Sequence, residues 1–347
     1  MNTSELKKIA KQMVAPGKGL IAADESAGTC AKRFDSVGIP CTEDTRRAYR
    51  GMLFATPDLE KYVSGVILYD ETIRQSDPTG MPFTEVLNRK GILPGIKVDA
   101  GTSDLANHPG EKVTEGLDKL RERLKEYAAM GAKFAKWRAV ITIGKGIPTA
   151  ACIHANAHAL ARYAALCQEA GIVPIIEPEV LIDGNHTIEQ SYKATLATLK
   201  ETFKEMANQK VMLEGVILKA SMVISGKSAK KQSKVKDVAK MTVKCLKASV
   251  PKKVAGVVFL SGGQGDEQAT AHLSEMNKMG PGRAGKLPWA LSFSYSRAIQ
   301  NPVLKKWAEN PDTNVQKAQE ILFFRSKMNG LASLGKYSDD METQRPY

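Results

Sequence analysis

"EGLDKLRERLKEYAAMGAKFAKWRAVI", residues 115–141, reads as a helix, a stop and a strand in one pass. Leu117, Leu120, Leu124 and Tyr127 recur at helical spacing, and Gly131 is the residue type that ends such a helix. The run that follows, "AKFAKWRAVI" from Ala132, is short and rich in β-formers.

The same alternation runs along the chain. Apolar runs bounded by turn signals begin with "GLIAAD" from Gly19, "SGVILYDE" from Ser64 and "PGIKVD" from Pro94. After the run from Ala132 come "IVPIIEPEV" from Ile172, "VMLEGVILKA" from Val211, "VAGVVFLSGG" from Val254 and "PWALSFSYS" from Pro288. All are rich in Val, Ile and Leu, as strands buried on both faces are. Between most of them lie helical patterns, such as "AACIHANAHALARYAALCQEAG", which ends at Gly171. Strand then helix, repeated eight times, predicts an α/β chain folded as a (β/α)8 TIM barrel; the alternative is an open doubly wound sheet.

A chain of 347 residues fits one such barrel with insertions, and no linker divides it. The expected organisation is a barrel domain over residues 1–334 and a mobile tail over 335–347. The pattern changes after about Ile321, and "GLASLGKYSDDMETQRPY" from Gly330 is polar and expected to pack poorly.

Composition narrows the class. Apolar residues make up 43% and charged residues 25%, an ordinary globular balance, and no apolar run approaches a membrane span. "MNTSELKKIAKQMVAPGKG" at the N-terminus predicts a short amphipathic helix without a signal-peptide core. Five scattered cysteines, never spaced C-x-x-C, argue against a disulfide framework and a zinc site, and fit a cytoplasmic protein. The net charge of +13 is uneven: residues 225–253 carry ten lysines against Asp237 alone. A solvated helix and loop is the expected reading; binding of actin or another polyanion is the sharper one. Interleaved aromatics are absent there, which argues against a specific nucleic-acid site.

Polar residues gather at the C-terminal ends of the runs, where barrels place their active sites. Asp24 ends the first run, and Lys97 and Asp99 end the third. Strand side chains alternate, so Phe134, Lys136 and Arg138 share a face, as do Ile175, Glu177 and Glu179, and Gly215, Ile217 and Lys219. If those faces look inward, Lys136, Arg138 and Lys219 meet Glu177 and Glu179 in one space. A second cation beside a partly desolvated lysine favours the free, nucleophilic amine, which attacks carbonyls to form an imine. The carbinolamine on that route needs an acid/base such as Glu177 or Glu179, and Asp24 is available as a further base. Carbon–carbon cleavage or formation through an imine is the natural chemistry. "FLSGGQGDE" places Ser261, Gly262 and Gly263 after the seventh run, and "FSYSRA" places Ser294 and Arg297 after the eighth, the usual barrel phosphate site. Ser26 and Thr29 in "ADESAGT", with Lys97, suggest a second anion site.

Three motifs are set aside. "GKGLIA", residues 17–22, precedes a strand and so is no dinucleotide turn; "GPGRAGKL", residues 280–287, has Leu287 where a P-loop needs Ser or Thr. "HANAH" spaces His154 and His158 four apart on a helix, but no third metal ligand is apparent, so both read as structural.

The assembled motifs "KGLIAADES", "GIKVDAG", "FAKWR", "VPIIEPEVL", "LEGVILKASMV", "FLSGGQ" and "SFSYSRA" resemble, in order, those of the class I, metal-independent fructose-bisphosphate aldolases, from about Leu6 to the last tyrosine. The resemblance implies that Lys219 forms a Schiff base with the substrate ketone and that Glu177 serves carbinolamine dehydration beside Glu179 and Lys136. It implies that Asp24 takes the C4 hydroxyl proton and that Tyr347 assists proton exchange on the enamine. Ser261, Gly262, Gly263, Ser294 and Arg297 would hold one phosphate, Ser26, Thr29 and Lys97 the other, and Arg138 would line the site. It further implies no cofactor, sugar-phosphate substrates and a homotetramer. The chain departs from the family in Ser296, where glycine is usual, in Thr29, where serine is common, and in the tail before Tyr347. The competing readings are another Schiff-base sugar-phosphate enzyme of transaldolase type and a polyanion-binding scaffold.

Overall fold

The computed structural model describes residues 2–279 and 287–347. The "GPGRAGKL" segment therefore lies outside the described residues except for Leu287. Eight parallel strands close into a barrel. They are β1 (Gly19–Ala23), β2 (Val63–Leu68), β3 (Leu93–Lys97), β4 (Phe134–Ile141), β5 (Val173–Val180), β6 (Ile217–Ala220), β7 (Gly256–Phe259) and β8 (Ala290–Tyr295). Each strand coincides with one of the eight apolar runs, β2 and β3 starting one residue earlier at Val63 and Leu93, with helices in the outer layer.

The details differ from the sequence reading in four places. The helix opening the quoted stretch is Leu120–Ala129, because Lys119 takes a left-handed conformation ahead of it and leaves Leu117 outside. Part of the sixth run is a 3-10 turn, Leu213–Gly215, and β6 is only four residues long. A short antiparallel hairpin, Thr102–Asp104 with Lys112–Thr114, follows β3; its first strand is fully exposed and carries no apolar alternation to announce it. The poorly packing tail is corrected by the structure. Helix Val315–Ser333 runs past Ile321 with most of its length buried, and Tyr337 and Glu342 beyond it are buried too. Arg325, with no exposed surface, donates from one nitrogen to both Glu342 oxygens at 2.7 Å. A buried guanidinium needs such a partner, and that need docks the segment.

Interior and exterior faces follow strand parity. Val216, Leu218 and Ala220 pack outward with the helices, whereas Ile217 joins Leu20, Ala22, Ile67, Leu93, Phe134, Val173, Ile175 and Val258 inside the barrel. That inner cluster includes Leu6, Ile9, Ala10 and Met13 from helix Thr3–Met13, so the amphipathic N-terminal helix plugs the N-terminal end of the barrel. Phe134 fills the floor at the expense of its neighbour: a Cβ on Gly95 would stand 2.2 Å from the Phe134 ring.

Candidate active site

Moving up each strand from this floor, the inward residue changes from apolar to ionised. Leu20 and Ala22 give way to Asp24, Phe134 to Lys136 and Arg138, Ile175 to Glu177 and Glu179, and Ile217 to Lys219. Register sets Lys97 level with Lys136, and Arg138 level with Glu177.

The resulting cluster is contiguous. Lys219 Nζ lies 3.1 Å from Glu177 Oε1. Lys136 Nζ stands between three carboxylates, 2.7 Å from Asp24 Oδ2, 3.5 Å from Glu177 Oε2 and 3.9 Å from Asp99 Oδ2. All of these residues are buried. Burial opposes the Lys136 ammonium, yet Asp24, Glu177 and Asp99 together raise it above the usual lysine range. Burial would likewise raise the Asp24 carboxyl, but Lys136 and Lys219 hold it down at about 2. Asp24 is thus a carboxylate fixed on a lysine that is fixed as a cation. Glu177 Oε2 has no hydrogen-bond partner among the described residues, an acceptor left open beside the Lys219 amine.

The flanks are built from the same strands. Arg138 pairs through Nε with Glu179, and its backbone N–H donates to Asp99 Oδ2 at 3.3 Å. Lys97 Nζ is held 2.8 Å from Asp99 Oδ1, so Asp99, a strand-end residue given no role from sequence, organises both Lys97 and Arg138. Ser26 caps helix Ala27–Asp35 and accepts from the Thr29 N–H at 3.4 Å, with the two hydroxyls 3.2 Å apart. This is one helix N-terminus with two hydroxyls, suited to an anion.

The opposite flank is the loop Ser261–Gly262–Gly263. Both glycines have positive φ, and a Cβ on Gly263 would stand 2.7 Å from Lys227 Nζ and 3.3 Å from Arg297 Nη2. Two cations therefore lie over that backbone. Lys227 was missed from sequence, hidden among the lysines of residues 225–253; the glycine that admits it was the available signal. Ser294 Oγ, buried on β8, lacks a hydrogen-bond partner among the described residues. Ser296 ties the two flanks together. Its hydroxyl donates to Glu25 Oε1 at 2.6 Å and accepts from Arg33 at 3.0 Å and Gln300 at 3.2 Å. Glu25 sits between Asp24 and Ser26, so the loop after β1 and the start of helix Arg297–Glu309 are bound to each other.

Tyr347 makes no hydrogen bond to this cluster among the described residues. Its hydroxyl donates to Asp266 Oδ2 at 3.0 Å under the Arg345 guanidinium. It shares with Arg297 a groove of about 500 Å³ that also carries Lys305 and Arg345. Part of the lysine-rich segment 225–253 forms helix Val235–Ser249, with Lys244 lying over the Tyr192 ring, and the segment's lysines are exposed.

A parallel barrel whose strand ends join a buried lysine to a carboxylate, flanked by anion-suited loops, has the groups that an imine-forming enzyme acting on phosphorylated carbonyl compounds needs. Comparison with known proteins agrees. The family model described as fructose-bisphosphate aldolase class-I matches residues 5–346. A probable fructose-bisphosphate aldolase class 1 of Xanthomonas axonopodis pv. citri is 58% identical over 97% of this chain and 99% of that relative. Cytosolic fructose-bisphosphate aldolase 4 of Arabidopsis thaliana is 46% identical over 99% of this chain and 86% of its own length. The structure of the Plasmodium falciparum fructose-bisphosphate aldolase, in complex with TRAP and a small-molecule inhibitor, superimposes with a TM-score of 0.93 at 45% identity. It covers 96% of this chain and 95% of that one. This chain belongs to the class I fructose-bisphosphate aldolases.

Proposed function

We propose that this chain reversibly cleaves fructose 1,6-bisphosphate to dihydroxyacetone phosphate and glyceraldehyde 3-phosphate, as a lyase working through a Schiff base on Lys219. The carrying observation is the 3.1 Å approach of Lys219 Nζ to Glu177 Oε1 inside a buried cluster. Glu177 takes a proton from the Lys219 ammonium, the freed amine adds to the ketone carbon, and Glu177 returns that proton to the departing carbinolamine hydroxyl, which leaves as water. Asp24 takes the C4 hydroxyl proton as the C3–C4 bond breaks and its electron pair moves into the iminium. Lys136, held cationic by Asp24 and Glu177, keeps the Asp24 carboxylate ionised and fixes the position of Glu177. Protonation of the enamine and hydrolysis of the imine release the second product and restore the amine.

Ser261, Gly262, Gly263, Ser294 and Arg297, with Lys227 added, are the candidates for one phosphate; Ser26, Thr29 and Lys97 are those for the other. Arg138, paired with Glu179, would line the space between them. Tyr347 would have to leave Asp266 to serve the enamine. A homotetramer in the cytoplasm, and binding of actin or another polyanion by the exposed lysines of residues 225–253, complete the proposal. No helix among the described residues is long and apolar enough to cross a membrane.

Borohydride reduction in the presence of fructose 1,6-bisphosphate tests the mechanism. A sugar-derived mass on the peptide carrying Lys219 is expected. An adduct confined to another lysine, or none with activity abolished by EDTA, would reject it.

A further inference from the structure

We propose that His154, His158, Glu201 and Glu205 form a binding site for a divalent transition metal such as zinc, on the outside of the barrel and independent of the imine chemistry at its mouth. Helix Ala150–Glu169 carries His154 and His158 one turn apart, and helix Ile188–Asn208 carries Glu201 and Glu205 one turn apart. Consecutive barrel helices run parallel, so a pair made once is repeated a turn later. His154 Nδ1 lies 3.0 Å from Glu201 Oε1, and His158 Nδ1 lies 2.9 Å from Glu205 Oε2, each pair 47 residues apart. The two imidazoles stack with centroids 6.2 Å apart.

Ligand atoms of His154, Glu201 and Glu205 all lie within 4.8 Å of one another. Zinc–nitrogen and zinc–oxygen bonds of about 2.1 Å place tetrahedral ligands about 3.4 Å apart, so the set must tighten by up to about 1.4 Å. Both histidines and Glu201 retain exposed surface and can make that adjustment by side-chain rotation. Two neutral imidazoles and two carboxylates make a donor set suited to zinc, and the carboxylates cancel its charge; magnesium and calcium prefer oxygen alone. Each carboxylate has a second tether. Glu201 is also paired with Lys204 at 3.1 Å, which competes with the metal, and Glu205 accepts from Asn208 at 2.7 Å, which orients it. The two helices follow β4 and β5, the strands bearing Lys136, Arg138, Glu177 and Glu179, so a bound ion would clamp that quarter of the barrel.

The test is calorimetric titration of the chelator-stripped full chain with zinc chloride, paired with thermal unfolding. One zinc per chain and a rise in Tm of about 2–4 °C at saturation are expected. His154→Ala/His158→Ala should weaken zinc binding at least about ten-fold and remove the Tm rise. Glu201→Gln, which keeps shape, should do the same in part, and it carries the test if the double variant does not fold. No binding up to about 100 µM zinc, or binding that the variants leave within about two-fold of the parent, would overturn the site and leave two ordinary ion pairs. Cobalt substitution separates the readings further: thiolate charge-transfer bands would place the ion on cysteine and reject the proposal.

Discussion

The two ends of the barrel are made by the same strands and obey opposite rules. At the N-terminal end Leu20, Phe134, Val173, Ile175 and Ile217 meet a helical plug, and the interior is apolar. At the C-terminal end, two to four residues further on, the interior is Asp24, Lys136, Glu177 and Lys219, buried and mutually paired. Burying charge is costly unless each group is matched, and a lost partner leaves the other uncompensated. The floor therefore supplies stability by area and packing, and the mouth spends some of it to hold reactive groups. Mutations at the two ends should separate stability from turnover.

The largest expected effect is at the mouth. Lys219→Met should lower kcat by roughly 10³-fold or more, because the other amine beside Glu177, Lys136, is held as a cation by Asp24, Glu177 and Asp99 and is no nucleophile. Steady-state cleavage rates check it; a loss of less than about ten-fold would move the nucleophile elsewhere. Phe134→Ala probes the floor, one alternation below Lys136. It should cost about 3–5 kcal/mol in urea unfolding, with kcat of the folded fraction within a few-fold of the parent. Equal damage to turnover would mean that the two ends are not separable.

A smaller effect is tied to pH. Asp24 falls from the ordinary 3.8 to about 2 in the folded chain. A depressed carboxyl stabilises the fold above its unfolded value and loses that contribution as pH drops through the folded one. Between about pH 4 and pH 2 the parent should therefore lose roughly 2 kcal/mol that Asp24→Asn never had. Parallel stability profiles for the two proteins would contradict this assignment. The smallest effect concerns neither end directly. Removing Tyr347 breaks one exposed hydrogen bond to Asp266, so folding should change by less than about 1 kcal/mol. If Tyr347 serves the enamine, kcat falls while the substrate dissociation constant holds; a matched change in both would count against that role.

How much of this was legible in the sequence depended on period and range. Strand parity put Lys136, Glu177 and Lys219 on one face because alternation is local and survives any tertiary arrangement. The pairing of Lys136 with Asp24 was not legible, since it depends on strands more than a hundred residues apart curving into one ring. Nor was the bond from Ser296 to Glu25, 271 residues away, although the serine itself stood out. The histidines of "HANAH" showed the correct spacing, but Glu201 and Glu205 lie on another helix, and only parallel packing aligns the pairs. The tail misled by composition. Its polarity is matched to buried Arg325, and polar matched to polar packs as firmly as apolar residues do.

The plug at the floor has a consequence for synthesis. Leu6, on the helix Thr3–Met13, packs against Gly215 at the turn before β6, about 200 residues later in the chain. At roughly 5–20 residues per second, translation leaves the helix without that surface for about 10–40 s. Until then its apolar stripe is open to whatever else is in the cell, and the ring of strands cannot be sealed at its base. The plug is thus made early and seated late, and an early-made helix depends on a late-made turn.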